Sequence, residues 1–180
     1  MTKVHRATGE TAIRVEIERG TGRSTVNTGQ RFLDHMLVTL ARYAGFDLTV
    51  EARGDLKHHL IEDVGIALGD AVARFTPATA ARYGHRMVPM DDALVEAAID
   101  LGGRPYYRGP VPSPLYEHWM RSFADHAAAT VHIRVLRGED RHHIIEAAFK
   151  ALGFALRDAL VETGSVISTK GAVRLEDREA

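Results

Sequence analysis

His58-His59-Leu60-Ile61-Glu62-Asp63-Val64-Gly65-Ile66-Ala67-Leu68-Gly69-Asp70-Ala71-Val72 returns 84 positions later as His142-His143-Ile144-Ile145-Glu146-Ala147-Ala148-Phe149-Lys150-Ala151-Leu152-Gly153-Phe154-Ala155-Leu156. Eight of these fifteen positions are identical, so the chain is an internal repeat and must be read as two halves. The likeness extends backward, because Leu33-Asp34-His35-Met36-Leu37 corresponds to Tyr116-Glu117-His118-Trp119-Met120, in each case a carboxylate and then a histidine entering an apolar-periodic segment. His35 precedes His58 by 23 positions and His118 precedes His142 by 24, as expected of a duplication followed by a one-residue loop change.

Between the lone histidine and the pair, each half carries a helical period and then an alternating one. Phe32, Leu33, Met36, Leu37 and Leu40 recur at helical spacing, Ala44-Gly45 stops them, and Phe46, Leu48 and Val50 alternate as in a strand. Leu115, Trp119, Met120 and Phe123 repeat the helical stripe, followed by the strand positions Val131, Ile133 and Val135. The paired histidines open a second helix in each half, over 58–75 and 142–162, with Asp140 as an N-cap. Further strands are expected through Ile13, Val15 and Ile17 and over Leu94 to Leu101, the latter continuing past Gly102-Gly103 to Tyr106-Tyr107. Gly20-Thr21-Gly22 reads as a hairpin turn, and Gly109-Pro110-Val111-Pro112-Ser113-Pro114 as a loop, since its prolines deny helix and ladder hydrogen bonds. The fold class is therefore α+β: two tandem halves, 1–85 and 86–180, each of strands plus two helices packed on sheet, sharing one compact unit.

Composition narrows the function. With 23 basic and 24 acidic residues the formal charge is −1, which gives no footprint for nucleic acid or a membrane surface. No apolar run reaches the roughly 18 residues of a membrane span, and the first residues lead into no signal segment, so a cytoplasmic protein is expected. The absence of cysteine removes disulfides and thiolate ligands together, leaving nitrogen and oxygen to hold any metal. Ten histidines are the one compositional excess, and four of them stand in the two adjacent pairs.

In a helix Glu62 shares a face with His58 and His59, while adjacent imidazoles diverge by roughly 100°. Two such helices can send one histidine to each of two metals. His35 and His118 complete two spheres, each of three imidazoles and one carboxylate drawn from His35, His58, His59, Glu62, His118, His142, His143 and Glu146. Such nitrogen-rich sites suit divalent Mn, Fe, Co, Ni or Zn. His5, His85, His126 and His132 have no carboxylate at ligand spacing and read as surface or strand-face residues. Tyr106, Tyr107 and Trp119 read as core or interface.

These ordered motifs, together with Ser168-Thr169-Lys170-Gly171, resemble imidazoleglycerol-phosphate dehydratase over nearly the whole chain. The resemblance implies a fold like the second domain of ribosomal protein S5 and two Mn(2+) per active site held by the eight residues above. It further implies catalytic carboxylates among Glu146, Glu10 and Asp91, and phosphate binding by Arg82, Arg104, Lys150, Ser168 and Lys170. The implied substrate is a small phosphorylated imidazole, and the implied assembly a 24-subunit homo-oligomer with active sites at subunit contacts. In the reaction so implied, the substrate ring between two cations becomes imidazolate and expels the neighbouring hydroxyl, leaving a diazafulvene-like species. Glu146 or Glu10 takes a carbon-bound proton to give an enol, which becomes a ketone.

The sequence departs from the family pattern at Leu56, Lys57 and Leu60 around the first histidine pair, and at Thr39, where a substrate-contacting glutamine is common. Two other readings stand beside the dehydratase: a divergent dimetal hydrolase or phosphatase, disfavoured by the dominance of histidine over bridging acids, and a non-catalytic, metal-stapled assembly protein.

Overall fold

The computed structural model describes residues 1–166. The first half runs β1 (Thr2–Ala7), β2 (Thr11–Arg19), β3 (Ser24–Asn27), α1 (Arg31–Ala44), β4 (Phe46–Gly54) and α2 (Lys57–Phe75). The second repeats that order as β5 (Tyr83–Met90), β6 (Ala93–Asp100), β7 (Tyr106–Arg108), α3 (Pro114–His126), β8 (Thr130–Arg137) and α4 (Arg141–Ala159). Each half forms a four-stranded sheet, β1-β2-β4-β3 and β5-β6-β8-β7, in which only the last pair is parallel. The join lies before Tyr83, so the second half begins a few residues ahead of position 86.

Alternation in the central strands sets the layering. Ile13, Val15 and Ile17 of β2, and Val95, Ala97 and Ile99 of β6, point inward and are buried, while their neighbours are partly or fully exposed. All four described helices lie between the sheets and contribute to a single apolar core. The helices pair across the halves: α2 packs on α3, and α1 on α4.

Two glycines permit this pairing, and they are the same residue of the repeat. A Cβ on Gly69 would stand 2.7 Å from the Phe123 carbonyl oxygen, and one on Gly153 would stand 2.9 Å from that of Leu40. Close backbone approach needs a residue without a side chain at both places.

Local chemistry explains the helix ends. Asp140 caps α4 as expected, its carboxylate accepting from the backbone N–H of His142 at 2.7 Å and His143 at 3.4 Å. Gly45 ends α1 in the left-handed region at φ 74°. Proline at the first position suits α3, so Pro114 belongs to that helix and the loop before it is one residue shorter than expected. Likewise α4 stops at Ala159, short of position 162.

The Gly20–Gly22 turn is not a hairpin. β3 leaves β2, crosses to the far side of β4 and pairs with it in parallel. What holds this connection is Asp47 at the start of β4, whose carboxylate accepts backbone N–H groups of Thr21 and Arg23, both at 2.9 Å, and the Arg23 guanidinium.

Candidate metal centre

Packing α1 against α4 carries the lone histidine of the first half to the paired histidines of the second. His35 Nε2 and His142 Nε2 each lie 3.0 Å from Glu146 Oε2, and the three donor atoms fall within 4.8 Å of one another. Glu146 is 7% exposed, whereas both imidazoles reach solvent. Burial pushes its carboxyl up, but hydrogen bonds from His35, Lys150 and His142 outweigh this and hold it at about 2. Phe32 steadies the arrangement with an edge contact to His142 at 5.1 Å between ring centres.

The α2–α3 pair builds the counterpart. His118 Nε2 stands 3.3 Å from Glu62 Oε1, while His58, exposed at the start of α2, has its ring 4.2 Å from that of His59. The two centres are unequal. Lys150 Nζ lies 3.0 Å from Glu146 Oε1, whereas the repeat-equivalent residue beside Glu62 is Ile66, and the Glu62 side chain is 35% exposed against 9% for Glu146. His35, His142 and Glu146 are the one group of three or more potential ligands that converge among the described residues.

The second histidine of each pair faces elsewhere. His59 Nδ1 lies 2.9 Å from Asp55 Oδ1 and 3.5 Å from Glu10 Oε2. His143 Nδ1 lies 2.6 Å from Asp92 Oδ1, and its Nε2 is 3.5 Å from Asp91 Oδ2. The carboxylate hydrogen bonds raise both imidazoles above their ordinary pKa, Asp55 acting on His59 and Asp92 on His143. Glu10 sits in the β1–β2 turn and Asp91 in the β5–β6 turn, so corresponding hairpins deliver the two carboxylates to corresponding histidines. Asp91 adopts φ 48° to do so. Asp55 could have been noticed four residues before His59. Asp92, 51 residues from His143, has no such signal.

Among the described residues, the expected phosphate ligands Arg82 and Lys150 do not converge within one chain. Arg82, itself at φ 67°, donates to the Asp100 carboxylate at 2.9 Å and to the Leu101 carbonyl at 3.1 Å. It lines a cavity of about 350 Å³ with Thr76, Gly102 and Ala128. Lys150 touches Met90 Sδ at 3.4 Å, at the other end of β5. At roughly 3.3 Å per residue that strand separates them by about 25 Å. Arg104 is exposed, and Ser168 and Lys170 lie outside the described residues.

Other expectations are refined. His126 does have a carboxylate partner, Asp70 Oδ1 at 3.0 Å, supplied by α2 and out of reach of local spacing. Trp119 and Tyr107 are core residues, while Tyr106 is half exposed. Among the departures, Thr39 and Leu60 are buried, while Leu56 is exposed as the residue preceding α2 and Lys57 opens that helix. No described helix is long and apolar enough to cross a membrane.

Two imidazole nitrogens and an anionic oxygen converging without thiolate fit a divalent transition metal and leave coordination positions for other ligands. Comparison with known proteins points the same way. Residues 28–156 match the family model described as imidazoleglycerol-phosphate dehydratase. The chain is 45% identical to the imidazoleglycerol-phosphate dehydratase of Halorhodospira halophila, covering 95% of this chain and 97% of that protein. It is 48% identical to that of Methanothermobacter thermautotrophicus, covering 92% and 94% respectively. The crystal structure of a ligand-bound IGPD from Pyrococcus furiosus superimposes with a TM-score of 0.86 at 41% identity, over 94% of this chain and 100% of the other. The enzyme from Staphylococcus aureus gives 0.80 at 33%, over 90% and 99%.

Proposed function

The chain belongs to the imidazoleglycerol-phosphate dehydratase family, and from that premise we propose that it dehydrates D-erythro-imidazoleglycerol phosphate to imidazoleacetol phosphate in histidine biosynthesis. The observation that carries the reading is the buried Glu146 carboxylate, which faces His142 on its own helix and His35 from the other half of the repeat. The family is metal-dependent. Two Mn(2+) per active site suit this chain, one on His35, His142 and Glu146, the other on His58, Glu62 and His118. His59 and His143, directed away from both groups, are supplied to the centres of neighbouring copies. A bound metal pair supplies Lewis acidity that favours the imidazolate form of the substrate ring.

Assembly follows from the same geometry. Each chain holds incomplete ligand sets, and Arg82 and Lys150 lie at opposite ends of β5. Sites built where copies meet resolve both shortages, in keeping with a 24-subunit cubic particle. Arg82, Arg104, Lys150, Ser168 and Lys170, contributed by different copies, then converge on the substrate phosphate, arginine by its fork and lysine by charge. A cytoplasmic location is part of the same proposal.

Glu10 is the better base of the two carboxylates considered. Both Glu146 oxygens are occupied, Oε2 by two imidazoles and Oε1 by Lys150. Glu10 is exposed in a shallow depression with Thr8, Arg53 and Gly54, beside His59. It accepts the carbon-bound proton, the neighbouring hydroxyl departs, and the resulting enol rearranges to the ketone. Asp91 holds the matching place beside His143 and is the second carboxylate available to move protons.

Incubating Mn-reconstituted protein with imidazoleglycerol phosphate tests the proposal. Appearance of the ketone, read as the absorbance of its enol, is expected. Release of inorganic phosphate would instead identify a hydrolase, and an unchanged substrate a metal-stapled assembly protein.

A further inference from the structure

We infer that Asp92 and Asp55 are positioning residues, which fix the tautomer of His143 and His59 so that Nε2 of each presents its lone pair to a metal. This rests on the metal reading above and adds residues that the ligand motifs do not contain.

An unprotonated carboxylate can only accept, so the nitrogen it faces carries the proton. Asp92 Oδ1 is 2.6 Å from His143 Nδ1 and Asp55 Oδ1 is 2.9 Å from His59 Nδ1. Asp92 is much the nearer acceptor at His143, Asp91 Oδ2 standing 3.5 Å from Nε2, so in the neutral imidazole the proton belongs on Nδ1, leaving Nε2 as the donor atom. Carboxylate partners of this kind orient the ring and raise ligand basicity.

The two acids reach equivalent histidines by different routes. Asp55 belongs to the loop entering α2, one turn before His59, and its Oδ1 also accepts the Leu56 N–H at 2.6 Å. Asp92 comes from the β5–β6 turn on the far side of the half. Its Oδ2 accepts the backbone N–H of Glu139 at 2.6 Å and of Asp140 at 3.0 Å, fastening the loop that enters α4. Asp140 in turn accepts from the N–H of His143, so the carboxylate holding the imidazole also holds its backbone in place.

Asp92→Asn separates orientation from fastening. Its amide oxygen can keep the Glu139 and Asp140 N–H groups while its NH₂ faces His143 Nδ1, forcing the proton onto Nε2. In metal-free protein, long-range ¹H–¹⁵N correlation of the imidazole nitrogens should show His143 changing from the Nδ1–H to the Nε2–H tautomer. Mn(2+) titrated into the same protein and followed by electron paramagnetic resonance should bind one of its two sites about 10–100-fold more weakly. Asp55 Oδ1 serves both the Leu56 N–H and His59 Nδ1, so Asp55→Ala, which removes that acceptor, should release His59 from the Nδ1–H tautomer and weaken one site alike. It stands outside the β-turn clamp and keeps the test available if the Asp92 variant fails to fold. Wild-type tautomer and Mn(2+) affinity in both variants would overturn the inference while leaving the metal centres intact. Fewer than two Mn(2+) bound by the wild-type chain would overturn the metal reading and this inference with it.

Discussion

His35 Nε2 lies 3.0 Å from Glu146 Oε2 although 111 positions separate them in the chain. One residue belongs to each half of the repeat, so this contact exists only because α1 packs on α4 across the halves. The proposed metal-binding chemistry therefore depends on the packing between halves, and its failure modes can be separated by mutation.

Glu146→Gln keeps the shape of the side chain but removes the anion shared by His35, His142 and Lys150. Mn(2+) affinity at that centre should fall by more than about 100-fold, beyond the usual cost of losing an outer-shell partner. Glu10→Gln should leave two Mn(2+) bound and lower kcat by roughly 10²–10⁴-fold, the range for a lost general base. Metal analysis paired with steady-state kinetics checks both, and normal turnover by the Glu10 variant would refute its assignment.

Gly153→Ala places a methyl group 2.9 Å from the Leu40 carbonyl oxygen, where no flexible side chain can yield. Helix propensity alone would favour alanine by about 1 kcal/mol. Overpacking typically costs about 1–3 kcal/mol, so the expected outcome is net destabilisation and a lower Tm. Gly69→Ala should behave alike, because its Cβ would meet the Phe123 carbonyl at 2.7 Å. Thermal unfolding of the two variants is the measurement, and a raised Tm for either would show that the helices part easily.

Asp47→Asn should destabilise the protein near neutral pH and progressively less in acid. Backbone N–H groups of Arg23 and Thr21, aided by the Arg23 side chain, hold this carboxyl below its ordinary pKa. A depressed folded-state value means that the stabilisation is fully present above the unfolded value, about 3.9, and is lost as pH falls through the folded one. Urea unfolding of both proteins at several pH values should show the gap closing only on the acid side.

Chelation should lower thermal stability, since metal binds the folded chain and the ligands are scattered once it unfolds. At a free Mn(2+) concentration 100 times Kd, each independent site adds about 2.7 kcal/mol. For a chain of this size that corresponds to roughly 5–11 °C in Tm. An unfolding temperature indifferent to Mn(2+) would contradict the assignment of these side chains as ligands.

The sequence made the duplicated helices legible because the histidine pairs and their glutamates recur at one offset, and the central strands legible because Ile13, Val15 and Ile17 alternate cleanly. The strand expected to run on past Gly102-Gly103 is broken, its end forming β7 beside β8, whereas β1, β3 and β5 escaped for a physical reason. They are outer or short strands whose side chains are largely in contact with solvent, as in β5, where Val88 alone is fully buried. Gly20-Thr21-Gly22 has hairpin chemistry, yet the partner of β3 is chosen by β4, which local turn residues do not encode. All eight proposed metal ligands could be named from spacing. Their division could not, since it depends on which helices pair, and Asp92 becomes visible only when the β5–β6 turn is seen against the start of α4.

The crosswise pairing of helices also bears on ancestry. A half-length precursor could not have closed either proposed centre alone, because each mixes side chains from both halves. Two such polypeptides embracing as a twofold dimer would have displayed a pair of matching centres. Gene fusion would free such twins to drift apart, and in this chain they differ, Lys150 standing beside Glu146 where the repeat places Ile66 beside Glu62.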